Sequence, residues 1–381
     1  MVTTAQKIII SGYYGFSNSG DEAVLQSILN ALHRQSQAAG ITIEPVVLSI
    51  DPEWTTAAYG VKAVHRMKLG EVRQAISESA GLISGGGSLL QDVTSSKTIP
   101  YYLGIIKLAQ WMGKPTFIYA QGIGPVNRKL FHPLIKSVFR KCAYVSVRDA
   151  QSRQLLQSMG LGENVQIVPD PVMGLELPDG GGQKGAAGGP AAEAAPSLKT
   201  VGISVRFWEE SRQELNAIAE GLLKACSKTP LHLSFLPFHH PLDNEASRYM
   251  MQKLEKEVAA LGGSVSLCED ALHPQHMLRE VAACDALIGM RLHSLIYAAG
   301  RRVPLMGVSY DPKIDHFLER IRCKPVGSTA ALDSGKVAAE LLLLLEQGEA
   351  WKQEREPLIA ALVDEAEAPA RRIVEYLCRK G

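Results

Sequence analysis

The chain has 381 residues, more than a single hydrophobic core usually supports, so its length predicts two domains. Hydrophobic residues make up 46% and charged residues 21% of the sequence, and 40 basic against 39 acidic residues leave a formal charge of +1. This balance lacks the basic excess that a nucleic-acid-binding protein would carry. The six cysteines are scattered without a CxxC pair, which indicates reduced thiols and neither a disulfide framework nor a zinc site.

The first half of the chain repeats an apolar strand, a Gly-rich turn and an amphipathic helix. The opening stretch "KIIISGYYGFSNSGDEAVLQSILNALHRQ" sets this pattern, with Asp21 and Glu22 at the positive N-terminal end of its helix. Such alternation predicts a parallel sheet that is covered by helices on both faces. We therefore assign residues 1–175 to a first α/β domain.

The composition changes abruptly after this domain, because Gly, Ala and Pro replace large apolar side chains. Residues 176–199 are predicted to be a flexible linker. The alternation resumes over residues 200–335 as a second α/β domain, and residues 336–381 form a helix-rich tail. Two α/β domains joined by a linker predict a ligand site in a cleft between them, beyond the carboxyl ends of the strands.

Three Gly-rich turns follow strands of the first domain: "GYYGFSNSGDEA", "SGGGSLLQD" and "AQGIGP". Glycine lets the backbone approach a ligand, and the free N–H groups of a helix start attract anions. None of the turns has GxGxxG or Walker spacing, which argues against a nicotinamide or P-loop site. A tight turn that packs closely explains any one of them equally well, whereas three along one sheet edge favour a binding surface.

Two arginines end strands in matching positions, Arg148 in "SVRDAQS" and Arg206 in "GISVRFW". A guanidinium can hold a carboxylate or phosphate through two parallel hydrogen bonds, so both are candidate anion-binding residues. A surface salt bridge is the alternative for Arg148. Asp149, which follows it, is expected to cap the next helix.

The stretch "GMRLHSLIYAAG" places Arg291 and His293 at the start of a predicted helix, directly after a strand of the second domain. The helix dipole disfavours a protonated histidine at this end unless an anion is bound nearby. A buried histidine with a satisfied ring is the alternative. The presence of Arg206 in the same domain favours an anion site.

Two further histidine pairs lack a third ligand at metal-site spacing, so we expect solvated side chains and no metal site. They are His239 with His240, and His273 with His276.

Seven stretches, taken in order, resemble the polysaccharide pyruvyltransferase family: "GYYGFSNSGDEAVLQSIL", "ISGGGSLLQD", "AQGIGP", "SVRDAQS", "PDP", "GISVR" and "GMRLHSLIYAAG". The resemblance is closest to the bacterial cell-wall branch that modifies S-layer-anchoring polymers, the CsaB type. It implies an α/β fold of two Rossmann-like domains that face each other across a cleft, as in GT-B proteins. It also implies phosphoenolpyruvate as co-substrate with no other cofactor, and a pyruvate ketal and free phosphate as products. For the cell-wall branch, the implied acceptor is N-acetylmannosamine in a lipid-linked saccharide.

The family's "RLH" motif falls on Arg291, Leu292 and His293. Ketal formation needs a proton on the methylene carbon of the donor, and our hypothesis gives this general-acid role to His293, with arginines stabilising the departing phosphate. The expected catalytic residues are therefore His293 and Arg291, and the expected donor-binding residues are Arg206, Arg291, Arg148, Leu292 and Ser294. The expected acceptor-binding residues are Gly15, Asn18, Asp21, Gly86, Ser88 and Gln121. Asp21 as the base for a sugar hydroxyl is an alternative.

Two other classes of function stay open. A glycosyltransferase of the same architecture, with a nucleotide-sugar donor, predicts a ribose contact and a base pocket in the second domain, and we can identify neither. A non-catalytic glycan or metabolite sensor predicts donor binding without phosphate release.

The start of the chain lacks the long apolar core of a signal peptide, and no apolar run is long enough to span a bilayer. We therefore expect a cytoplasmic protein without a nucleic-acid partner. The lipid of the expected acceptor implies peripheral contact with the inner face of the membrane, although no strongly basic amphipathic helix stands out in the sequence.

Overall fold

The computed structural model describes residues 5–16, 18–93, 95, 97–177, 198–271 and 273–380. The chain divides into two compact units: unit 1 comprises Met1–Glu176 and Leu362–Gly381, and unit 2 comprises Leu177–Ala361. Residues 178–197, which make up most of the predicted linker, lie outside the described residues.

Unit 1 contains a seven-stranded sheet in the order β3-β2-β1-β4-β5-β6-β7, and all its strand pairs are parallel. Its strands are β1 Gln6–Tyr14, β2 Ile43–Ser49, β3 Lys62–His65, β4 Gly81–Gly85, β5 Thr116–Gln121, β6 Tyr144–Val147 and β7 Val165–Ile167. Its helices are α1 Ser19–Ala38, α2 Pro52–Tyr59, α3 Leu69–Ser77, α4 Thr98–Trp111, α5 Phe131–Phe139 and α6 Ala150–Ser158, followed by a 3₁₀ helix at Pro171–Gly174.

Unit 2 contains a second parallel sheet, of six strands, in the order β10-β9-β8-β11-β12-β13. Its strands are β8 Lys199–Ser204, β9 Leu231–Phe235, β10 Ser264–Leu267, β11 Ala286–Gly289, β12 Leu305–Ser309 and β13 Gly327–Ser328. Its helices are α7 Gln213–Cys226, α8 Leu242–Ala260, α9 Pro274–Ala282, α10 Leu292–Gly300, α11 Pro312–Arg320 and α12 Ser334–Glu346. The predicted alternation of strands and helices is confirmed in both units.

Both sheets have buried central strands. Ile8, Ile9 and Ile10 of β1 are all fully buried, as are Ala286, Leu287 and Ile288 of β11. Consecutive buried residues point to opposite faces of a sheet, so helices must cover both sides of each strand. The apolar runs thus form parallel strands because only a doubly covered sheet removes both faces from water.

Each sheet changes direction once, where the chain leaves two neighbouring strands toward opposite edges. In unit 1 this point lies between β1 and β4, and in unit 2 it lies between β8 and β11. Loops that leave adjacent strand ends in opposite directions open a crevice there, where ligands of open α/β sheets bind. Most of the candidate residues follow these four strands, whereas Gln121 ends β5 and Arg148 follows β6.

The last helix, α13 Gly348–Lys380, begins in unit 2 and ends in unit 1. In unit 1, Ile373 and Leu377 are buried, and the Tyr376 ring meets Phe117 of β5 edge-on at 5.3 Å between centroids. The Glu367 carboxylate accepts hydrogen bonds from Arg34 and Gln35 of α1, both at 2.8 Å. The predicted tail is thus helical, and its final turns complete the core of the first sheet.

None of the helices in the described residues is both long enough and apolar enough to cross a membrane.

Candidate active site

The turn between β1 and α1 is fixed by a buried carboxylate. Glu22 accepts a hydrogen bond from the Gly15 N–H at 2.8 Å and another from the Tyr59 hydroxyl at 2.7 Å. Gly15 has φ +81°, and a Cβ there would collide with the Ser49 hydroxyl. Close packing against β2 therefore explains Gly15, the first of the expected acceptor-binding residues.

Asn18 and Asp21 lie at the start of α1. Asn18 caps the helix, since its side chain accepts from the Gly20 N–H at 3.1 Å. Burial raises the pKa of the Asp21 carboxyl to about 7, although nearby Arg148 acts in the opposite direction. Asp21 therefore exchanges a proton near neutral pH, while Asn18 has a structural task.

The second glycine turn brings Ser88 and Arg148 together. Gly86 has φ +59°, and an added Cβ would collide with Val24 of α1, so the turn lies directly against that helix. Arg148 donates to the Ser88 hydroxyl at 2.8 Å and to Asp170 at 3.0 Å. Arg148 thus forms a salt bridge, as in the alternative to anion binding, but a mostly buried one and not one at the surface. Asp149 caps α6 as predicted.

Gln121 differs from the expected acceptor residues above, because its side-chain amide is buried without a partner in the part of the chain that the structure describes. Its side chain is buried, and neither amide atom has a hydrogen-bond partner among the described residues. The next residue, Gly122, donates its N–H to the Gly87 carbonyl at 2.9 Å, which ties the end of β5 to the second glycine turn. A buried amide without partners is costly unless a water or ligand satisfies it.

In unit 2, polar side chains follow four neighbouring strands. His239 follows β9, Arg206 follows β8, Arg291 follows β11 and Tyr310 follows β12. Because the carboxyl ends of parallel strands meet at one edge of a sheet, these side chains gather at the crevice between β8 and β11.

Arg206 is held by aromatic rings and not by a carboxylate. Its guanidinium carbon lies 5.0 Å from the Trp208 ring centroid and 4.9 Å from the Tyr310 centroid, and Nη1 donates to the Tyr310 hydroxyl at 3.0 Å. In the described part of the chain, no carboxylate lies within 4.0 Å of it, and its buried Nε has no acceptor. A half-buried cation without a counter-ion is suited to bind an anion.

Arg291 has a buried partner that the sequence pattern does not reveal. Asp243 of α8 is fully buried and accepts from Arg291 Nε at 2.9 Å and from its Nη2, as a two-bond pair. The same carboxylate accepts from the N–H groups of Phe238 and His239, at 3.2 and 2.9 Å. Asp243 therefore orients Arg291 and fixes the loop after β9.

His239 is part of this site, contrary to the expectation of a solvated side chain. Burial lowers the pKa of His239, and so do the charges of Arg291 and Arg206, with Asp243 acting in the opposite direction. The charges of both arginines therefore act on its ring. His273, by contrast, caps α9 by accepting from the Gln275 N–H at 3.2 Å, which gives that histidine a structural role.

The "RLH" motif starts α10. Leu292 is the first helical residue, so its N–H and that of His293 have no acceptor within the helix, and both side chains are half-buried. Ser294 is fully buried and donates its hydroxyl to the Arg291 carbonyl at 2.7 Å. Ser294 therefore stabilises the start of the helix. Its hydroxyl hydrogen is bonded within the protein, whereas we expected it to bind the donor.

Solved structures with a similar fold are sugar-nucleotide epimerases and glycosyltransferases. The UDP-GlcNAc 2-epimerase of Methanocaldococcus jannaschii is 11% identical, with a TM-score of 0.64, and the match covers 99% of this chain and 100% of that chain. A putative UDP-N-acetylglucosamine 2-epimerase of Listeria monocytogenes is 12% identical, with a TM-score of 0.62 and 97% and 95% covered. A glycosyltransferase of Rickettsia africae is 10% identical, with a TM-score of 0.61 and 99% and 100% covered. The likeness confirms the GT-B-like fold class and shows the fold alone.

Sequence comparison identifies the family. No curated protein matches the chain in sequence. The family model described as polysaccharide pyruvyl transferase matches residues 18–312, which include the start of α1, the arginines after β6 and β8, and the whole of α10. This match covers well over half of the chain, and the protein therefore belongs to the polysaccharide pyruvyl transferase family and is a transferase enzyme.

Proposed function

We propose that the enzyme transfers the pyruvyl group of phosphoenolpyruvate to two hydroxyls of one sugar, forming a ketal and releasing phosphate. The observation that carries this proposal is Arg206, a half-buried cation with no carboxylate partner among the described residues. It shares the crevice at β8 and β11 with Arg291 and with the start of α10.

The charge of the donor suits this arrangement. Phosphoenolpyruvate carries a carboxylate and a phosphate, whereas Asp243 already balances Arg291. Arg206 and the positive N-terminal end of α10, where the "RLH" motif starts, supply the additional positive potential. Arg291 keeps its Nη1 group for the donor, since no described residue accepts from it.

Arg148 has weaker support as a donor-binding residue. It lies in unit 1, and Asp170 at 3.0 Å balances its charge. Its bond to Ser88 places it beside the expected acceptor residues.

The reaction begins with proton transfer from His293 to the methylene carbon of the donor, which makes the adjacent carbon electrophilic. One sugar hydroxyl adds to that carbon and loses its proton, and the C–O bond to phosphate breaks. The second hydroxyl then adds to the same carbon and loses its proton, which closes the ketal. Arg206 and Arg291 stabilise the negative charge on the departing phosphate.

The acceptor residues of the proposal are in unit 1. Asp21, Ser88 and Gln121 have side chains that can hydrogen-bond a sugar, and the pKa of about 7 for Asp21 suits a base that accepts a hydroxyl proton. Gly15, Gly86 and Asn18 shape the turns around them. We take N-acetylmannosamine of a lipid-linked secondary cell-wall polymer precursor, as in the CsaB type, as the acceptor on the basis of the sequence resemblance.

The test is to incubate the purified protein with phosphoenolpyruvate and a lipid-linked N-acetylmannosamine acceptor, and to measure free phosphate and the ketal by mass spectrometry. We expect both products in equal amounts, and loss of both in His293→Gln with unchanged circular dichroism. Binding of phosphoenolpyruvate without phosphate release would instead support a non-catalytic glycan or metabolite sensor.

A glycosyl transfer from a nucleotide sugar is the second candidate. Its support is Trp208, which is 48% exposed beside Arg206 and offers a ring on which a base could stack, together with the fold shared with the glycosyltransferase of Rickettsia africae. Release of a nucleoside diphosphate, with no response to phosphoenolpyruvate, would favour it over pyruvyl transfer.

A further inference from the structure

One stretch of unit 1 has a strong excess of basic residues, although the protein as a whole is nearly neutral. From Val93 to Val147 the sequence has no Asp or Glu, although basic residues are frequent: Lys97, Lys107, Lys114, Arg128, Lys129, Lys136, Arg140 and Lys141. The whole chain has 40 basic and 39 acidic residues. Positive charge is therefore concentrated on the elements of this stretch, which include α4 and α5.

Helices α4 and α5 are neighbours on one face of the first sheet. The Gln110 side chain near the end of α4 donates to the Val138 carbonyl of α5 at 2.9 Å. Ile135 and Phe139 of α5 are buried in the core together with Ile106 of α4. The opposite sides of both helices consequently face solvent.

Large apolar side chains occupy these solvent sides. Trp111 at the end of α4 is 75% exposed, and Leu130 and Leu134, one turn apart at α5, are 62% and 50% exposed. Lysine and arginine lie close to them in the sequence, and Lys107 lies 5.7 Å from the Trp111 ring. We call this surface the α4–α5 face and define it by Trp111, Leu130, Leu134, Lys107, Lys129, Lys136, Arg140 and Lys141.

The basic residues of the α4–α5 face are not neutralised by the protein. In the described residues none of the five has a carboxylate oxygen within 4.0 Å, whereas other exposed cations such as Lys7 and Lys62 do. Exposed apolar groups within an uncompensated positive field match a partner that is both anionic and apolar.

We propose that the α4–α5 face docks the enzyme on a lipid bilayer that contains anionic lipids. Trp and Leu side chains insert at the level of the headgroups, and Lys and Arg extend their charged ends to the phosphates. Helix α5 is not itself a strongly basic amphipathic helix, because Lys136 is the one basic residue within it. The helix has only nine residues, and its basic face is completed by residues that flank it and by α4.

Binding of the full chain to vesicles tests this docking surface without reference to catalysis. We expect flotation with vesicles of phosphatidylcholine and phosphatidylglycerol, little flotation with phosphatidylcholine alone, and release by salt. Because each basic residue near an anionic surface contributes about fivefold in affinity, the triple variant K129E/R140E/K141E should bind roughly 100-fold more weakly. The control K228E/K256E/K324E makes the same charge change at exposed positions of unit 2 and should bind as the parent protein does.

The apolar residues distinguish a membrane from a soluble polyanion. We expect L130S/L134S to lower vesicle binding at least ~10-fold while leaving retention on heparin unchanged. The control L261S/L343S replaces two exposed leucines of unit 2 and should have no effect. Equal binding to neutral vesicles, or full vesicle binding by L130S/L134S, would overturn the proposal, the latter in favour of an acidic polymer as partner.

Discussion

Arg206 differs from the other cations of the candidate site in how its charge is balanced. Asp243 pairs with Arg291 and Asp170 pairs with Arg148, whereas Arg206 is held only by the rings and hydroxyl described above. Removal of Arg206 therefore leaves no buried carboxylate without a partner, so its contribution to ligand binding can be separated from its contribution to folding.

We expect Arg206→Ala to raise the KM for phosphoenolpyruvate by about 10- to 100-fold, the size of one charged hydrogen-bonded contact. Thermal unfolding should change little. Steady-state phosphate release and the melting temperature are the measurements. Arg212→Ala is the matched control, since Arg212 also stacks on two rings, Phe207 and Tyr249, at the start of α7. Similar KM values for the two variants would remove Arg206 from the donor site.

Asp21 makes the stability of the protein depend on pH. Its pKa is raised from 3.8 to about 7, so between these values the folded protein holds a proton that the unfolded chain releases. The free energy of unfolding therefore falls as pH rises through this window, by at most about 1.4 kcal/mol per pH unit. Asp21→Asn removes this contribution. In urea unfolding at several pH values, the free energy of unfolding of the variant should therefore rise relative to that of the parent protein between pH 4 and 7. A constant difference across this range would contradict the shift.

The sequence predicts which charged residues lie at this site, but it does not predict which of them pair with each other. The positions of Arg206, Arg291 and His293 after strands are visible in the sequence. Asp243 is 48 residues from Arg291, and only the parallel arrangement of β9 and β11 around β8 brings them together. His239 becomes part of the site for the same reason, because its loop is held by Asp243.

At the scale of the elements, the glycine turns position helix α1 against the strand ends. Gly86 has a positive φ and lies directly against Val24, so the turn after β4 has no room for a side chain at this position. The sequence predicts such turns but does not distinguish packing from ligand binding, because both need a glycine. The structure assigns packing to Gly15 and Gly86.

A pair of glycine variants measures this packing. Gly40 has a similar φ of +67° with nothing within 4 Å of an added Cβ, whereas Gly86 would collide with α1. Both Gly→Ala changes carry the cost of the left-handed conformation, about 1 kcal/mol, and only Gly86→Ala adds an overpacking cost of roughly 1–3 kcal/mol. Urea unfolding should therefore show Gly86→Ala as the less stable variant, and equal stabilities would refute the close approach.

At the scale of the whole molecule, donor binding should stabilise the folded protein. A ligand that binds only the folded state adds about 2.7 kcal/mol at 100 times its Kd. We expect phosphoenolpyruvate to raise the melting temperature of the parent protein and of Arg212→Ala, but not of Arg206→Ala at the same concentration. A nucleotide sugar should have no comparable effect, and the reverse ranking would favour glycosyl transfer.

The two α/β units follow from the sequence pattern, since alternating apolar strands and amphipathic helices determine each sheet. The return of the chain to unit 1 does not follow from that pattern. A helical period shows that residues 348–380 form a helix, but it does not show which core its apolar side covers.

The path of α13 has a consequence for biosynthesis. All strands of the first sheet leave the ribosome before residue 170, yet Ile373 and Leu377, which cover part of its core, emerge only after the whole of unit 2 has been made. Until then, the apolar side chains under that helix stay open to solvent and to aggregation. The core of the first sheet, though its strands are synthesised first, therefore cannot be completed until the end of α13 has emerged.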